Sequence, residues 1–331
     1  VESASLAYPL LSINENTPPS MIAELERNIF SIQGMLINDG FTGVFRMLLS
    51  GSTLLLVLGT TDYVMNRLKG QQGEFYAMLL FACASMMLLT SAMELITLYV
   101  ALETSSIALY ALAGFLRDKK SSEAGIKYLA LGGISSALLL YGMVIFFGIT
   151  GSTSFQDILQ ALAGSYRTNI LPIVVGVVLL VAGFGFKIAA FPFQMWVPDV
   201  YEGAPTPVTA FLSVVSKAAG FAVVLRLFHI MLGLGPIAGE WHTIFAALAA
   251  LTMTFGNVVA LQQRNIKRLM GYSSIAQAGY LLIGVSMVQP VGAASVVLFL
   301  ISYAVTNVAA FIAIIALTEA AGTEDIAGLR G

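Results

Sequence analysis

Nine apolar runs of close to twenty residues each follow one another between residues 43 and 318, separated by short stretches rich in charge, glycine and proline. A bilayer core of about 30 Å takes roughly 20 apolar residues to cross as a helix, and a helix satisfies every backbone N–H and C=O without water. The pattern predicts an all-α polytopic membrane protein with spans near 43–61, 75–92, 94–116, 126–149, 170–197, 207–232, 242–262, 267–287 and 291–318. Residues 14–42, with Asn14, Asn16, Pro18 and Pro19, are too polar to span and read as a connection on the aqueous side. Residues 1–13 read as the tail of an apolar segment without the basic region and cleavage site of a signal peptide, so the chain reads as a fragment.

Composition agrees: 58% of residues are hydrophobic and 10% charged, against roughly 45–50% apolar and 25% charged in soluble domains. A net charge of -2 offers no basic field for nucleic acid. The single cysteine, Cys83, rules out an intrachain disulfide and sits among Leu80, Phe81 and Ala82 as a packing residue. No CxxC or Cys/His cluster is spaced to hold a metal or iron–sulfur centre. His229 and His242 flank the Gly/Pro segment 233–239 and read as interfacial. Redox chemistry is therefore not expected within this chain.

Lysine and arginine gather on alternate loops. Arg67, Lys69, Arg117, Lys119, Lys120, Lys127, Arg264, Lys267, Arg268 and Arg330 fall on one side, against Arg167 on the other, with Arg226 near a helix end. The bias assigns the rich side to the cytoplasm. It puts the WVPDVYEGAPTP loop there and GSTSFQDILQ outside.

Most charges fall where they are cheap, but Glu103, Lys187 and Lys217 lie inside spans. An ionised group near a helix centre costs on the order of 2.5–3.5 kcal/mol unless paired or hydrated. Lys187 stands between Gly183, Gly185 and Pro192, where the helix is expected to kink or unwind. Irregular backbone at membrane depth persists when it lines a wet cavity, and transporters place ion sites there; glycines that serve only close packing are the alternative. In the sixth span Thr209, Ser213, Ser216 and Gly220 form a small polar face beside Lys217. Ser295, Ser302, Thr306 and Asn307 extend the pattern in the ninth span; Tyr272, Ser273, Ser274 and Gln277 do so in the eighth, and Asn257 in the seventh. Such stripes serve either helix packing or a hydrated interior.

A desolvated lysine loses proton affinity and a nearby carboxylate restores it, so moving the carboxylate switches the lysine. Glu103, Lys187 and Lys217 are the candidate proton-transfer residues. Ser213, Ser216, Asn257, Gln277, Ser302 and Thr306 are secondary candidates along a path. A static buried salt bridge between Glu103 and Lys187 is the structural alternative. Glu94 and Arg226 lie nearer their span ends, where such side chains can snorkel, and read as structural or topological.

The stretches GFGFKIAAFPFQMWVPDVYEGAPTPVTAFLSVVSKAAGF, YVALETSSIALYALAGFLRDKKSSEAGIKYLALG and GNVVALQQRNIKRLMGYSSIAQAGYLLIGV closely resemble the subunit N family of bacterial NADH-quinone oxidoreductase (complex I). This is the subunit 2 family of mitochondria, within the proton-translocating antiporter-like proteins. The resemblance runs from about residue 40 to the end, and PDVYEGAPTPV distinguishes this branch from its sister subunits. It implies an antiporter-like fold of about fourteen transmembrane helices, about nine of them here, with inverted five-helix repeats that each contain a broken helix.

On that pattern, 1–42 is an N-terminal remnant and connection, and 43–74 a peripheral helix with its loop. Residues 75–232 form the first repeat, and 233–331 an incomplete second one. Glu103 matches the family's key glutamate, Lys187 its lysine partner on the broken helix, and Lys217 the central-axis lysine. The second broken helix and the lysine used toward the exit would lie beyond Gly331, so a complete protein is expected to be longer.

The resemblance further implies no cofactor in this chain. NADH, flavin, iron–sulfur clusters and quinone would belong to partner subunits. The partners would be neighbouring antiporter-like and small membrane-arm subunits of complex I, in the bacterial cytoplasmic membrane, with the lipid bilayer and protons as the other contacts. Two rivals are a stand-alone cation/proton antiporter, against which Glu103 stands without a cluster of intramembrane carboxylates, and a scaffold whose charges hold helices in register.

Overall fold

The computed structural model describes residues 30–32, 34–165, 168–232, 236–287 and 290–329. Residues 1–29, with Asn14, Asn16, Pro18 and Pro19, and also Arg167 and Arg330, lie outside the described residues.

The polar connection before the first span contains a small antiparallel hairpin, β1 (Phe30–Ile32) and β2 (Leu36–Asn38). Gly34 takes the left-handed φ of 72° at its turn. Asp39 follows and caps helix α1 (Gly40–Gly59), its carboxylate accepting the Thr42 N–H at 2.8 Å.

Among the described residues, nine long helices lie along the predicted spans. They are α1, α3 (Gln72–Leu89), α4 (Leu95–Ala113), α5 (Lys119–Thr150), α7 (Ile170–Ile188), α9 (Thr206–Met231), α10 (Pro236–Ala260), α11 (Ile266–Val285) and α12 (Pro290–Ala321). Short helices α2 (Thr61–Arg67), α6 (Phe155–Ser165) and α8 (Trp196–Gly203) lie between them. Eight of these long helices among the described residues are apolar enough to cross a membrane. The exception is α11, which has the length but carries Lys267, Arg268 and Gln277.

The span expected over 170–197 ends earlier. Helix α7 stops at Ile188, where Ala189 adopts a left-handed φ of 63° and its N–H returns to the Phe186 carbonyl at 3.2 Å. Glycines at 183 and 185 weaken the last turns, and Pro192 has no N–H to continue them. Freed backbone groups find side chains: Trp196 Nε1 donates to the Phe186 carbonyl at 2.9 Å, and the Phe191 N–H donates to Thr252 Oγ1 at 3.0 Å. The WVPDVYEGAPTP segment, read as a loop, is instead the eight-residue helix α8 followed at once by α9. Its Ala204 N–H closes on the Val200 carbonyl at 2.9 Å.

Helix α9 is the centre of the bundle, buried along its whole apolar window. It packs against α1, α3, α4, α7 and α12. Two π-helical stretches, Leu212–Ser216 and Leu227–Met231, interrupt it on either side of the segment that begins with Lys217. Helices α10 and α11 approach each other closely: a Cβ on Gly256 would stand 2.5 Å from the Ala276 backbone nitrogen, and one on Gly279 2.6 Å from that of Met253. Small residues at such positions bring helices together where lipid supplies no hydrophobic drive.

Candidate functional site

Lys187 ends in the last turn of α7, 6% exposed, and its Nζ donates to Ser106 Oγ on α4 at 3.0 Å. Glu103 lies three residues before Ser106 on the same helix face and accepts the Ser136 hydroxyl from α5. Ser135 on α5 donates to the Gly183 carbonyl of α7 at 3.0 Å, close to the break. Glu103, Ser106, Ser136, Tyr110 and Lys187 line one cavity of about 10 Å³, the room a single water needs. Glu103 and Lys187 share it without forming an ion pair, so the static salt bridge is not what holds them.

Lys217 is 3% exposed at mid-bundle. Its ammonium donates to the Ser274 carbonyl and to Ser274 Oγ, the latter at 2.5 Å, and lies 5.8 Å from the centre of the Tyr303 ring. Ser274 is a junction: Tyr201 OH on α8 is 3.2 Å and Tyr303 OH on α12 is 3.3 Å from its hydroxyl oxygen. Tyr303 OH also meets Ser213 Oγ at 3.0 Å. A lysine in hydrocarbon is stable when it is hydrogen-bonded in this way.

The structure divides the secondary candidates. Ser213 joins the Lys217 cluster and Ser216 is buried on the same helix, while Gln277 is half-buried one turn beyond Ser274. Asn257, Ser302 and Thr306 lie exposed on the outside of the described residues. Asn257 donates to the Met253 carbonyl and Tyr280 OH, and Thr306 to carbonyls of its own helix. Sequence reasoning missed Tyr201, Tyr303, Ser106 and Ser136 altogether and counted Ser274 only as polar lining. The one signal for Ser106 was its spacing from Glu103.

Arg226 does not snorkel. It is 3% exposed and grips Asp39 with two nitrogens, at 3.0 and 3.2 Å, while donating to Thr42 Oγ1 at 2.9 Å and covering the Phe41 ring at 4.8 Å. Burial pushes the Asp39 carboxyl up, but the Arg226 guanidinium and the Thr42 hydrogen bonds outweigh it and hold the group below its usual range. His229 is 6% exposed, with its ring against Trp241 at 5.4 Å between centroids.

At one end of the bundle, α5, α8 and α11 surround a cleft of about 230 Å³ lined by Lys120, Glu123, Lys127, Asp199, Glu202 and Arg268. Asp199 takes Lys127 Nζ and Arg268 Nη1, each at 2.7 Å, and Glu202 takes Arg268 at 3.1 Å. Burial raises the Asp199 carboxyl, yet its two cationic partners more than offset this and keep it below the usual carboxylate range. Among the described residues no group of three His, Cys, Asp or Glu is placed to hold a metal.

Apolar helices around a central buried one, a helix broken beside a lysine, and ammonium groups held by hydroxyls define a multi-pass membrane protein of antiporter-like fold. The family model described as NADH:quinone oxidoreductase/Mrp antiporter, TM, matches residues 92–331. The chain belongs to that family.

Among curated relatives, NADH-quinone oxidoreductase subunit N of Dehalococcoides mccartyi is 41% identical over 96% of this chain and 66% of the relative. The protein of the same name from Heliobacterium modesticaldum is 45% identical over 92% of this chain and 63% of the relative. The chain thus spans somewhat less than two thirds of their length. A chain of respiratory complex I from Thermus thermophilus superposes with a TM-score of 0.72 at 32% identity, covering 96% of this chain and 65% of that one. The Mrp complex from Dietzia shares the fold at a TM-score of 0.77 and 22% identity, over 97% of this chain and 38% of its own.

Proposed function

We propose that this chain works as a proton-translocating membrane-arm subunit of a complex I-type NADH-quinone oxidoreductase. The observation that carries the reading is Lys217, buried in the central helix and held only by hydroxyl, carbonyl and ring partners among the described residues. The proton affinity of a buried lysine follows its hydrogen-bond partners and nearby charges, so a change in those surroundings is a means of moving a proton on or off it. Glu103 and Lys187 line one small cavity without a direct bond between them. The names of the relatives favour a complex I subunit over a stand-alone cation/proton antiporter.

In this reading Glu103, Lys187 and Lys217 carry the proton transfers. Residues 75–232 act as one translocating repeat, and 233–331 belong to a second. Electron transfer from NADH to quinone, with flavin and iron–sulfur clusters, takes place in partner subunits; Cys83, buried beside Thr53, supplies no ligand set for such groups. The neighbours are other membrane-arm subunits in the bacterial cytoplasmic membrane, with the charged cleft on the cytoplasmic side.

The test is a tagged purification of the full-length protein from mildly solubilised membranes, assayed for NADH-driven quinone reduction and coupled proton uptake. Activity that co-purifies, with uptake lowered by Lys217→Ala, supports the reading. A stable protein without redox subunits that moves protons against sodium would replace it with the antiporter.

A further inference from the structure

The turn that carries Lys187 is held at both ends. On the near side, Ser135 of α5 donates to the Gly183 carbonyl at 3.0 Å. On the far side, the irregular segment after α7 folds back on the helix end: the Ala190 N–H donates to the Gly185 carbonyl at 2.8 Å, and the Phe186 carbonyl takes both the Ala189 N–H and the Trp196 indole. Phe193 lies over the same turn, since a Cβ on Gly185 would stand 2.6 Å from its Cδ2. One residue beyond Ala190, the segment is tied to a distant part of the chain. The Phe191 N–H donates to Thr252 Oγ1 on α10 at 3.0 Å. Thr252 is fully buried, and its hydroxyl donates to the Leu248 carbonyl of its own helix at 2.6 Å. The Phe191 ring meets that of Phe255, three residues along α10, at 5.3 Å between centroids. A threonine bonded back to its own helix needs no further partner, as Thr254 shows on the exposed side. Thr252 also accepts, and what it accepts is a backbone donor freed by the helix break. Gly183 is thus fastened to α5 and Phe191 to α10, with Lys187 midway between the two fixed points.

We propose that Thr252 is a positioning residue for Lys187: through its hydroxyl, α10 sets where the broken end of α7, and with it the Lys187 ammonium, stands relative to Glu103 and Ser106. This assignment rests on the reading of Lys187 as a proton-transferring group. A buried N–H is costly to leave unpaired, so Phe191 follows Thr252 when α10 shifts. With Gly183 fastened to α5, the displacement falls on the residues between, and Lys187 is among them. Its ammonium bonds to Ser106 on α4, a helix that does not share the movement. On the division of the chain proposed above, residues 233–331 belong to the second repeat, so one hydrogen bond links the state of that repeat to the lysine of the first. Thr252 carries no proton along the path and acts only through the geometry of the turn.

The experiment uses the full-length subunit assembled in its native complex and reconstituted in vesicles. Proton uptake is measured per electron delivered by NADH, and Lys187→Ala defines the share that depends on the lysine. Thr252→Val keeps the branched shape and removes the acceptor for Phe191; Thr252→Ser keeps the acceptor and removes only a methyl group. Thr252→Val is expected to lower the Lys187-dependent share on the order of 5-fold, the size of effect that residues in a coupling network show, with uncoupled quinone reduction retained. Thr252→Ser is expected to restore it. Combined with Ser106→Ala, which frees the ammonium on α4, Thr252→Val is expected to add no further loss, because both act on the placement of one group. A full share in Thr252→Val, equal losses in the Val and Ser variants, or losses that multiply with Ser106→Ala overturn the positioning role and leave that of Lys187 standing. Less assembled complex with an unchanged share per electron makes Thr252 merely structural and overturns it as well. Unchanged uptake in Lys187→Ala overturns both readings.

Discussion

Glu103 and Lys187 line the same cavity yet each bonds to a different serine, Glu103 to Ser136 and Lys187 to Ser106. A locked ion pair would tie the two groups to each other, whereas here each is held by its own serine. Glu103→Gln retains an acceptor for Ser136 and nearly the same side-chain volume. Its stability is expected to stay within about 1 kcal/mol of the parent protein, while coupled proton translocation falls. Thermal unfolding in detergent and the proton-to-electron ratio in vesicles measure the two. An unchanged ratio in both Glu103→Gln and Lys217→Ala would remove these residues from the path.

The buried grip of Arg226 on Asp39 behaves differently, because truncating one partner strands the other. Asp39→Ala is expected to destabilise the protein by about 3–5 kcal/mol, and Arg226→Lys to recover only part of the pair, since lysine lacks the two-nitrogen fork. Chemical unfolding in detergent reads both.

The same pair sets a pH dependence. Asp39 has a folded value below its ordinary 3.8, so its stabilisation is complete above that value and is lost as pH falls through the lowered one. Melting temperature is expected to hold down to about pH 4 and drop more steeply below it; the drop is expected to flatten in Asp39→Asn. A slope that Asp39→Asn leaves intact would assign it to other carboxylates.

At the charged cleft the stakes are smaller. Asp199 is 34% exposed at its side chain, so Asp199→Asn is expected to cost about 0.5–1 kcal/mol, an amount that shrinks in high salt. Loss of equal size at low and high ionic strength would contradict an ion-pair latch between α5, α8 and α11.

Gly256→Val tests the α10–α11 contact. A side chain there collides with the backbone of Ala276, and overpacking of this kind costs about 1–3 kcal/mol. A variant as stable as the parent would show that the two helices separate freely.

The course of the helices was legible because lipid imposes a length and forbids unsatisfied backbone: runs of apolar residues had no other way to fold. The break beside Lys187 was also legible, since Gly183, Gly185 and Pro192 act within a few bonds of where they stand. Its position was not. The expected span ran to residue 197, and only the return of Ala189 onto Phe186, with Trp196 taking a freed carbonyl, ended it at Ile188. Charge alone marked Glu103, Lys187 and Lys217, because an ionised group in hydrocarbon is costly wherever its partners are.

Partners are another matter, since helical periodicity tells which residues share a face and says nothing about which helix that face meets. Ser302 and Thr306 satisfied the stripe pattern and face outward, while Tyr303, between them in sequence, reaches Ser274. Asp39 and Arg226, 187 residues apart, read as a polar connection and a snorkelling end until the bundle closed over both. Sequence by itself determined the membrane helices, the weak point in the fifth and the three charges that need a reason. Tertiary structure alone decided what each charge touches, because hydrogen bonds between buried side chains act over about 3 Å, and only packing brings distant stretches of chain that close.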